Sequence, residues 1–339
     1  MKTDYPQTLQ QAVLRYANEQ TCIDDLVAQR WPDGVVCPRC GTDNPHWMPS
    51  VRRWKCRNPR CKPRQFSVKV GTIFEDSPLP LGKWLPALWL ITNAKNGISS
   101  YEIARDLHVT QKTAWFMLHR IRAAMQDEAE EKMTGTVEVD ETLVGGKARF
   151  QHKGKTQKER GGLGKAVVMG LVERGKGKGT VSKARAHVVP DQKGKTLRPH
   201  VHAHVEKGAT VYTDELASYA PLAQDFVYEA INHSETYVRG NCHTNNAENF
   251  WCLLKRAIRG TYVSVEPWHL NRYLAEECFR YNERKDNDGG RFAKVLGGVV
   301  GKRLTYKGLI GETTEGLSRS LAGAGAVRAA RVPCDGRTC

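Results

Sequence analysis

Two sets of side chains in this 339-residue chain have the types and spacing for chemistry. The first is a group of thiols. Cys37 and Cys40 enclose Pro38-Arg39, and fifteen residues further on Cys56 and Cys61 form a second pair with four residues between them. A two-residue gap followed by Gly41 lets both thiolates turn toward one ion, and four soft sulfur ligands suit tetrahedral Zn2+. The second gap is wider than the common two residues. The plainer reading, paired thiols without an ion, fits poorly with this spacing in a chain that shows no export signal.

The second set is acidic. Asp140 sits in the apolar alternation Thr136 to Val144, where a carboxylate at strand centre is costly unless it is paired or metal-bound. Asp214 ends the strand-like run from Ala209, at the carboxyl edge where sheet-based sites collect. Glu248 falls in the first turn of a helix beginning near Asn246, and Lys255, beside Arg256, shares its face two turns on. Three carboxylates on one patch suit hard divalent cations such as Mg2+, whose oxygen shell is completed by substrate phosphate. Each has a bland alternative: an ion pair for Asp140, a turn for Asp214, and for Glu248 a dipole partner or a cap shared with Asn245. Glu141, next to Asp140, points to the other face by strand alternation.

The elements that must position these groups follow from the pattern. The first 30 residues read as one or two short amphipathic helices. Trp31 to Phe74 is rich in Cys, Pro, Arg and Trp, with strand-like pieces at Arg53 to Lys55 and Gln65 to Val68, and seven cations from Arg52 to Arg64 interleave with the thiols. Leu81 to Met125 has helical period for three helices. Within it Ser99 and Glu102 stand in capping-box spacing, His108-Val109 makes a turn, and Thr110 starts a second helix. This predicts a helix-turn-helix whose basic residues Lys112, His119, Arg120 and Arg122 face DNA; a plain helical hairpin is the alternative. Strand patterns follow at Val137 to Val144, Ala166 to Val172, Ala184 to Val189 and Ala209 to Thr213, then long helices. The segments are 1–30 helices, 31–75 zinc ribbon, 80–133 helix-turn-helix, 135–290 mixed-sheet domain, and 311–339, a Gly/Ala/Arg-rich tail without a periodic apolar face that is expected to be disordered. The fold class is multidomain α/β.

Charge narrows the partners. Against 36 acidic residues stand 52 Lys plus Arg, a net +16 that favours a nucleic-acid backbone. The loop from Gly145 to Lys165 alone carries seven Lys plus Arg, Lys147 among them, and reads as a DNA-backbone arm. His200, His202 and His204 fall in a helix placed after Pro199 and are expected to be surface or DNA-facing. No run of about 18 uncharged apolar residues exists, and the first residues lack a signal-peptide pattern, so a cytoplasmic protein without membrane contact is expected.

Taken together, the motifs resemble those of insertion-sequence transposases of the DDE class, in the subgroup with an N-terminal zinc ribbon. The likeness runs over about residues 30 to 290. It rests on Gly71-Thr72-Ile73-Phe74, Lys112-Thr113-Ala114-Trp115-Phe116-Met117, Val137-Glu138-Val139-Asp140-Glu141-Thr142 with Gly145-Gly146-Lys147, and Tyr212-Thr213-Asp214. It continues through His243-Thr244-Asn245 with Glu248 and Trp251, Lys255-Arg256, Gly260-Thr261-Tyr262, and Phe279-Arg280-Tyr281-Asn282 with Arg284. The resemblance implies a ribonuclease H-like catalytic domain in which Asp140, Asp214 and Glu248 hold two Mg2+ or Mn2+ ions, with thirty-three residues between the last two. Asn245 is the alternate third position. It also implies binding of terminal inverted repeats and target DNA, cleavage and strand transfer without a covalent protein intermediate, a homodimer or larger assembly, and a nucleoid-associated bacterial location. The alternatives are a zinc-ribbon and helix-turn-helix DNA-binding regulator, a junction-cutting nuclease on the same fold, or a decayed transposase. The wide second cysteine gap and the tail depart from the family pattern.

Overall fold

The computed structural model describes residues 5–126, 131–146, 165–175, 177, 179–214, 217–231 and 242–311. The arm from Lys147 to 164 and the tail beyond Gly311 lie outside the described residues.

The N-terminal body opens with α1 (Leu9–Tyr16) and α2 (Glu19–Arg30), the first started by a capping box between Thr8 and Gln11. A small antiparallel sheet follows, β1 (His46–Met48), β2 (Arg53–Lys55) and β3 (Gln65–Phe66), with β2 in the middle. Its one well-packed face is aromatic: Trp54 stacks on Phe66 at 5.9 Å and tilts against Trp47 at 4.4 Å. Then come α3 (Leu81–Asn93), α4 (Ser100–Leu107) and α5 (Gln111–Ala124). Ser99 and Glu102 form the expected reciprocal cap, and a three-residue turn with His108 left-handed separates α4 from α5. The two helices are thus joined by a short turn, as the sequence pattern predicts.

One core joins all of these, running from Tyr16 and Leu26 through Phe66, Trp84, Leu88 and Ile103 to Leu118 and Ile121. It is closed from far along the chain by Phe292, Val295 and Leu296 of α9 (Asp288–Gly297). Ribbon, N-terminal helices and helical hairpin are thus one packed body.

The second body is a five-stranded sheet in the order β6-β5-β4-β7-β8, formed by β4 (Thr136–Val144), β5 (Ala166–Glu173), β6 (Lys183–Val189), β7 (Thr210–Asp214) and β8 (Val227–Ile231). The first three run antiparallel, whereas β7 and β8 run parallel to β4. This is the mixed sheet expected for the catalytic domain, with β8 an addition that the sequence pattern did not mark.

Period-2 alternation splits its side chains between two cores. Val137, Val139, Leu171 and Val211 meet Leu197 and Val201 of α6 (Gly194–His204) on one face. On the other, Val144, Val168 and Val172 meet α7 (Asn245–Ala257) and α8 (Leu270–Asn282) through Phe250, Leu254 and Leu274. Burying one such aliphatic side chain is worth about 1.5–3 kcal/mol.

Edge strand β6 is closed by α8. Asn282 accepts from the Ala184 N–H at 2.6 Å and donates to its carbonyl at 3.1 Å, and Asn271 accepts from the Val188 N–H at 2.9 Å. Helix α6 starts five residues before Pro199 rather than after it. His200 and His204, one turn apart, therefore share a face and gather with His187 of β6, the rings 4.7–6.3 Å apart, while His202 turns toward Phe226 and Asp225. Two of the three histidines expected at the surface are thus packed on the sheet.

The two bodies meet where α5 crosses α8. The Arg122 guanidinium donates to Glu276 at 2.6 Å and lies 3.9 Å from the Tyr273 ring centroid. Tyr262 donates to the same Glu276 at 2.5 Å, and Arg280 pairs with it as well. A Cβ on Gly97 would overlap the Tyr262 hydroxyl, and its φ of +84° also requires glycine there. The last helix among the described residues is α10 (Tyr306–Leu309). Among the described residues no helix is long and apolar enough to cross a membrane.

Candidate active site and zinc centre

Cys37, Cys40, Cys56 and Cys61 converge as their spacing predicted. Their sulfurs all lie within 4.8 Å of one another, with Cys37 and Cys61 3.8 Å apart and Cys40 and Cys56 3.5 Å apart. A tetrahedron with Zn–S bonds of about 2.3 Å has edges of about 3.8 Å, which these two pairs nearly match, and the remaining separations need to close by no more than about 1 Å. Three of the four are buried and Cys40 is exposed. The Cys56 carbonyl beside them accepts from Arg64 at 3.0 Å, which takes that cation off the surface, while Arg52, Arg53, Lys55, Arg57, Arg60 and Lys62 stay exposed.

The acidic residues come together at the carboxyl edge of the sheet. Strand β4 pairs with β7 in parallel up to Val139 opposite Thr213. Asp140 and Asp214, each one residue further, therefore end up side by side on the face that α7 covers. Helix α7 is placed there by two contacts. Trp251 donates its indole N–H to Asp140 Oδ2 at 2.9 Å. Directly opposite on β5 is Gly170, where any Cβ would come within 2.5 Å of the Trp251 ring.

The second contact is Glu138, which the sequence reading passed over. Two residues before Asp140 on the same face of β4, it is fully buried and occupies the N-terminus of α7. It accepts from the backbone N–H groups of Asn246 at 2.8 Å and Ala247 at 3.1 Å and from the Asn246 side chain at 2.7 Å. Arg174 pairs with it at 2.6 Å and also donates to the His243 carbonyl at 2.8 Å. A strand carboxylate, not Asn245 or Glu248, is therefore the cap of this helix, satisfying free amides and the positive end of its dipole together. Asn245 itself opens the helix exposed, its backbone N–H directed at His243 Nδ1.

With its N-terminus held so, α7 presents Glu248 outward and exposed. Burial pushes the Asp140 carboxyl up to about 6; the Trp251 N–H opposes this, and the nearby charges of Asp214 and Glu248 add to it. The three carboxylates thus share one electrostatic neighbourhood, more loosely than the thiols: among the described residues only the four cysteines bring their ligand atoms within 4.8 Å of one another.

Glu141 belongs to this neighbourhood too, although its side chain starts on the opposite face. Burial, then the charges of Asp214 and Asp140, push it up to about 8, and its Oε1 is buried without a hydrogen-bond partner. Asp140 and Glu141, both raised in proton affinity and the latter with an unsatisfied buried oxygen, lie among further carboxylates, a chemical match for hard divalent cations, which would offset the repulsion.

The basic residues divide. Lys112 is exposed near the start of α5, 4.8 Å over the Tyr306 ring; Arg256 is exposed and Lys255 half-buried on α7. Arg120 and Arg122 are not on a DNA-facing surface. Arg120 is 4% exposed and donates to the carbonyls of Leu304 at 3.0 Å and Glu75 at 2.5 Å. Arg122 is spent on Glu276, and His119 is fully buried beside Trp115 and His269. The C-terminal half of α5 is enclosed on all sides, which leaves its first turns, with Lys112, Thr113 and the half-buried Trp115 and Phe116, as the part open to a partner. Lys147 lies outside the described residues.

Two stretches of the chain match known families. Residues 17–64 match the transposase zinc-ribbon domain, and residues 132–282 match the ISXO2-like transposase domain. A protein of Halobacterium salinarum described as an uncharacterized protein in transposable element ISH50 is 28% identical over 276 residues, covering 76% of this chain and 89% of that protein.

Proposed function

The chain belongs to the insertion-sequence transposases with an N-terminal zinc ribbon, and from that premise we propose that it binds the terminal inverted repeats of its element and carries out metal-dependent cleavage and strand transfer. The observation that carries this reading is the meeting of Asp140 and Asp214, on the ends of neighbouring parallel strands, with Glu248 on a helix bonded to the same strand.

In this reading Asp140, Asp214 and Glu248 hold a pair of Mg2+ or Mn2+ ions, which when bound supply a polarised water and neutralise the entering and leaving oxygens of an in-line displacement. Trp251 at Oδ2 and the Glu141 backbone N–H at Oδ1, 2.9 and 2.8 Å away, together fix the orientation of the Asp140 carboxylate, and the remaining lone pair on each oxygen is what it offers a metal. Glu138 sets how far Glu248 stands from Asp140, because it joins the start of α7 to β4. Burial and the charges of Asp214 and Asp140 push Glu141 up to about 8, which favours its neutral form beside the metal ligands. Lys255 and Arg256 engage DNA phosphate next to the acidic residues, the first turns of α5 and the exposed cations of the ribbon contact DNA further out, and two copies of the chain hold two DNA ends.

The test is an assay of cleavage and joining on the element's terminal DNA in Mg2+ or Mn2+, with Asp140→Ala, Asp214→Ala and Glu248→Ala beside the unaltered chain. Loss of joined product in all three supports the triad. Loss in the first two alone moves the third role to Asn245. DNA binding by the unaltered chain with no nicking or joining in either metal favours a DNA-binding regulator or a decayed transposase.

A further inference from the structure

The outer face of α7 continues past the helix into a tip that the chemistry of the carboxylates does not use. Glu248, Cys252, Arg256 and Arg259 are exposed at three- and four-residue spacing, with Lys255 half-buried beside them. One stripe therefore leads from the acidic end of the helix, through three cations, to a single π turn at Ile258–Tyr262. From Glu248 to Arg259 it spans eleven residues, about 16 Å at the helical rise.

In the segment that follows along the chain, Val263 is 77% exposed and Trp268 62% exposed. The Val263 backbone has φ 62° and ψ −55°, a region that a β-branched residue enters only where its surroundings hold it. They do so on both flanks. Thr261 donates to the Asn96 carbonyl at 2.9 Å and Tyr262 to Glu276 at 2.5 Å on one side. On the other, Pro267 begins a short 3-10 turn, and the next residue after Trp268, His269, is buried against Trp115 at 5.3 Å. The base of the tip is anchored to both bodies while its two large apolar side chains face solvent. Strain of this kind, next to a π turn, is a common mark of a working surface.

We propose that Val263 and Trp268 are a wedge that receives an unstacked nucleotide base of DNA whose phosphates lie along Arg256 and Arg259. The inference rests on the nucleic-acid reading above and adds a specific contact to it. An aromatic ring with cations beside it is the chemistry that stacks bases of any sequence, and apolar wedges of this size separate base steps. The arginine flank complements a phosphate backbone and would be poor company for an apolar protein partner. At about 3.4 Å per base pair, the 16 Å stripe carries the backbone about five pairs from the phosphate at the carboxylates to Arg259, so the base at the tip lies about five pairs away or further.

The experiment uses duplexes of the element's terminal repeat with 2-aminopurine at successive positions, bound to the full chain. The expected result is a change in emission confined to one position, about five pairs or more from the end. Trp268→Ala loses that change and binds the duplex about tenfold more weakly, with an unaltered melting temperature, whereas Trp268→Phe keeps both. The same positional change with Trp268→Ala would overturn the wedge. So would a change in sedimentation of Trp268→Ala with its DNA signal intact, which would assign the tip to a second copy of the chain. Strand transfer by the unaltered protein with no positional change removes this inference alone; absence of any duplex binding removes the proposed function with it.

Discussion

Trp251 and Asp140 are bonded across the gap between α7 and β4, indole N–H to carboxylate oxygen at 2.9 Å, so the helix that carries Glu248 is fastened to the strand that carries the first acidic residue. Trp251→Phe keeps the ring and removes the donor. The expected outcome is a folded protein with a 10- to 100-fold loss in metal-dependent cleavage and a higher Mg2+ requirement, the usual scale for a residue that orients a metal ligand. Gly170→Ala should give the same defect with the indole intact, because a Cβ there displaces the ring. A metal titration of the two variants is the check, and an unchanged Mg2+ midpoint in both would sink the idea.

Glu138 predicts a stability effect instead. Its removal takes the buried carboxylate from the Arg174 guanidinium, which keeps the His243 carbonyl, and from the three donors at the start of α7. Glu138→Ala should cost about 3–5 kcal/mol, as breaking a buried pair does. Glu138→Gln should cost less, since the amide oxygen still accepts. Urea denaturation of the two variants distinguishes them.

The contrast between these two residues shows what was legible in the sequence. Asp140 stood out because a charge inside an apolar alternation is locally anomalous, and the cysteine pairs because two short spacings specify a tetrahedron. Glu138 lies on the same strand with the same anomaly, yet its partners are 36 and 108 residues away, so nothing local told a cap from a spare charge. Arg120 and Arg122 misled for a related reason. Helical periodicity marks one apolar face, whereas α5 is covered by α3 on one side and by α8 on the other, so cations on its second face are interior. Neither the return of α9 to the first core nor the short edge strand β8 carried a local signal.

Buried histidines set the acid limit. His119 is fully buried with neither ring nitrogen bonded, and His269 against it is 8% exposed. Burial first, then neighbouring arginines, lowers both, His269 to about 4 and His119 further. A lowered folded value means that the unfolded chain binds the proton more readily. The stability that follows is complete above the ordinary value of 6.5 and is lost as pH falls from there toward about 4. Between pH 7.5 and pH 5 each ring should cost about 2 kcal/mol. Melting curves across that range should flatten in His119→Phe; an equally steep dependence would refute the assignment.

Zinc removal should act well beyond the ribbon. Cys37, Cys56 and Cys61 belong to the same core as α3 and α5. Chelation, or Cys37→Ser, is therefore expected to release one zinc per chain and to lower the melting temperature of the whole N-terminal body, including the helical hairpin, since metal binding and folding are linked in so small a module. Metal analysis with circular dichroism before and after chelation tests this. A hairpin that melts unchanged would show the ribbon to be independent.

The burial of Arg122 and the exposure of Lys112 on one helix predict opposite phenotypes. Arg122→Ala leaves Glu276 without its arginine from α5 in a contact where both side chains are about fully buried. Because Glu276 keeps Arg280 and Tyr262, the expected cost is about 1.5–3 kcal/mol of stability, with any loss of DNA affinity tracking the unfolded fraction. Lys112→Ala touches only the exposed start of α5. It should leave stability within about 0.5 kcal/mol, weaken duplex binding across sequences, and reduce the slope of log affinity against log salt by about 1. Binding isotherms at several salt concentrations, paired with denaturation of the same samples, separate the two. A salt slope that falls for Arg122→Ala at unchanged stability would return that residue to the DNA-facing surface, whereas a flat response in Lys112→Ala would move the DNA contact away from α5.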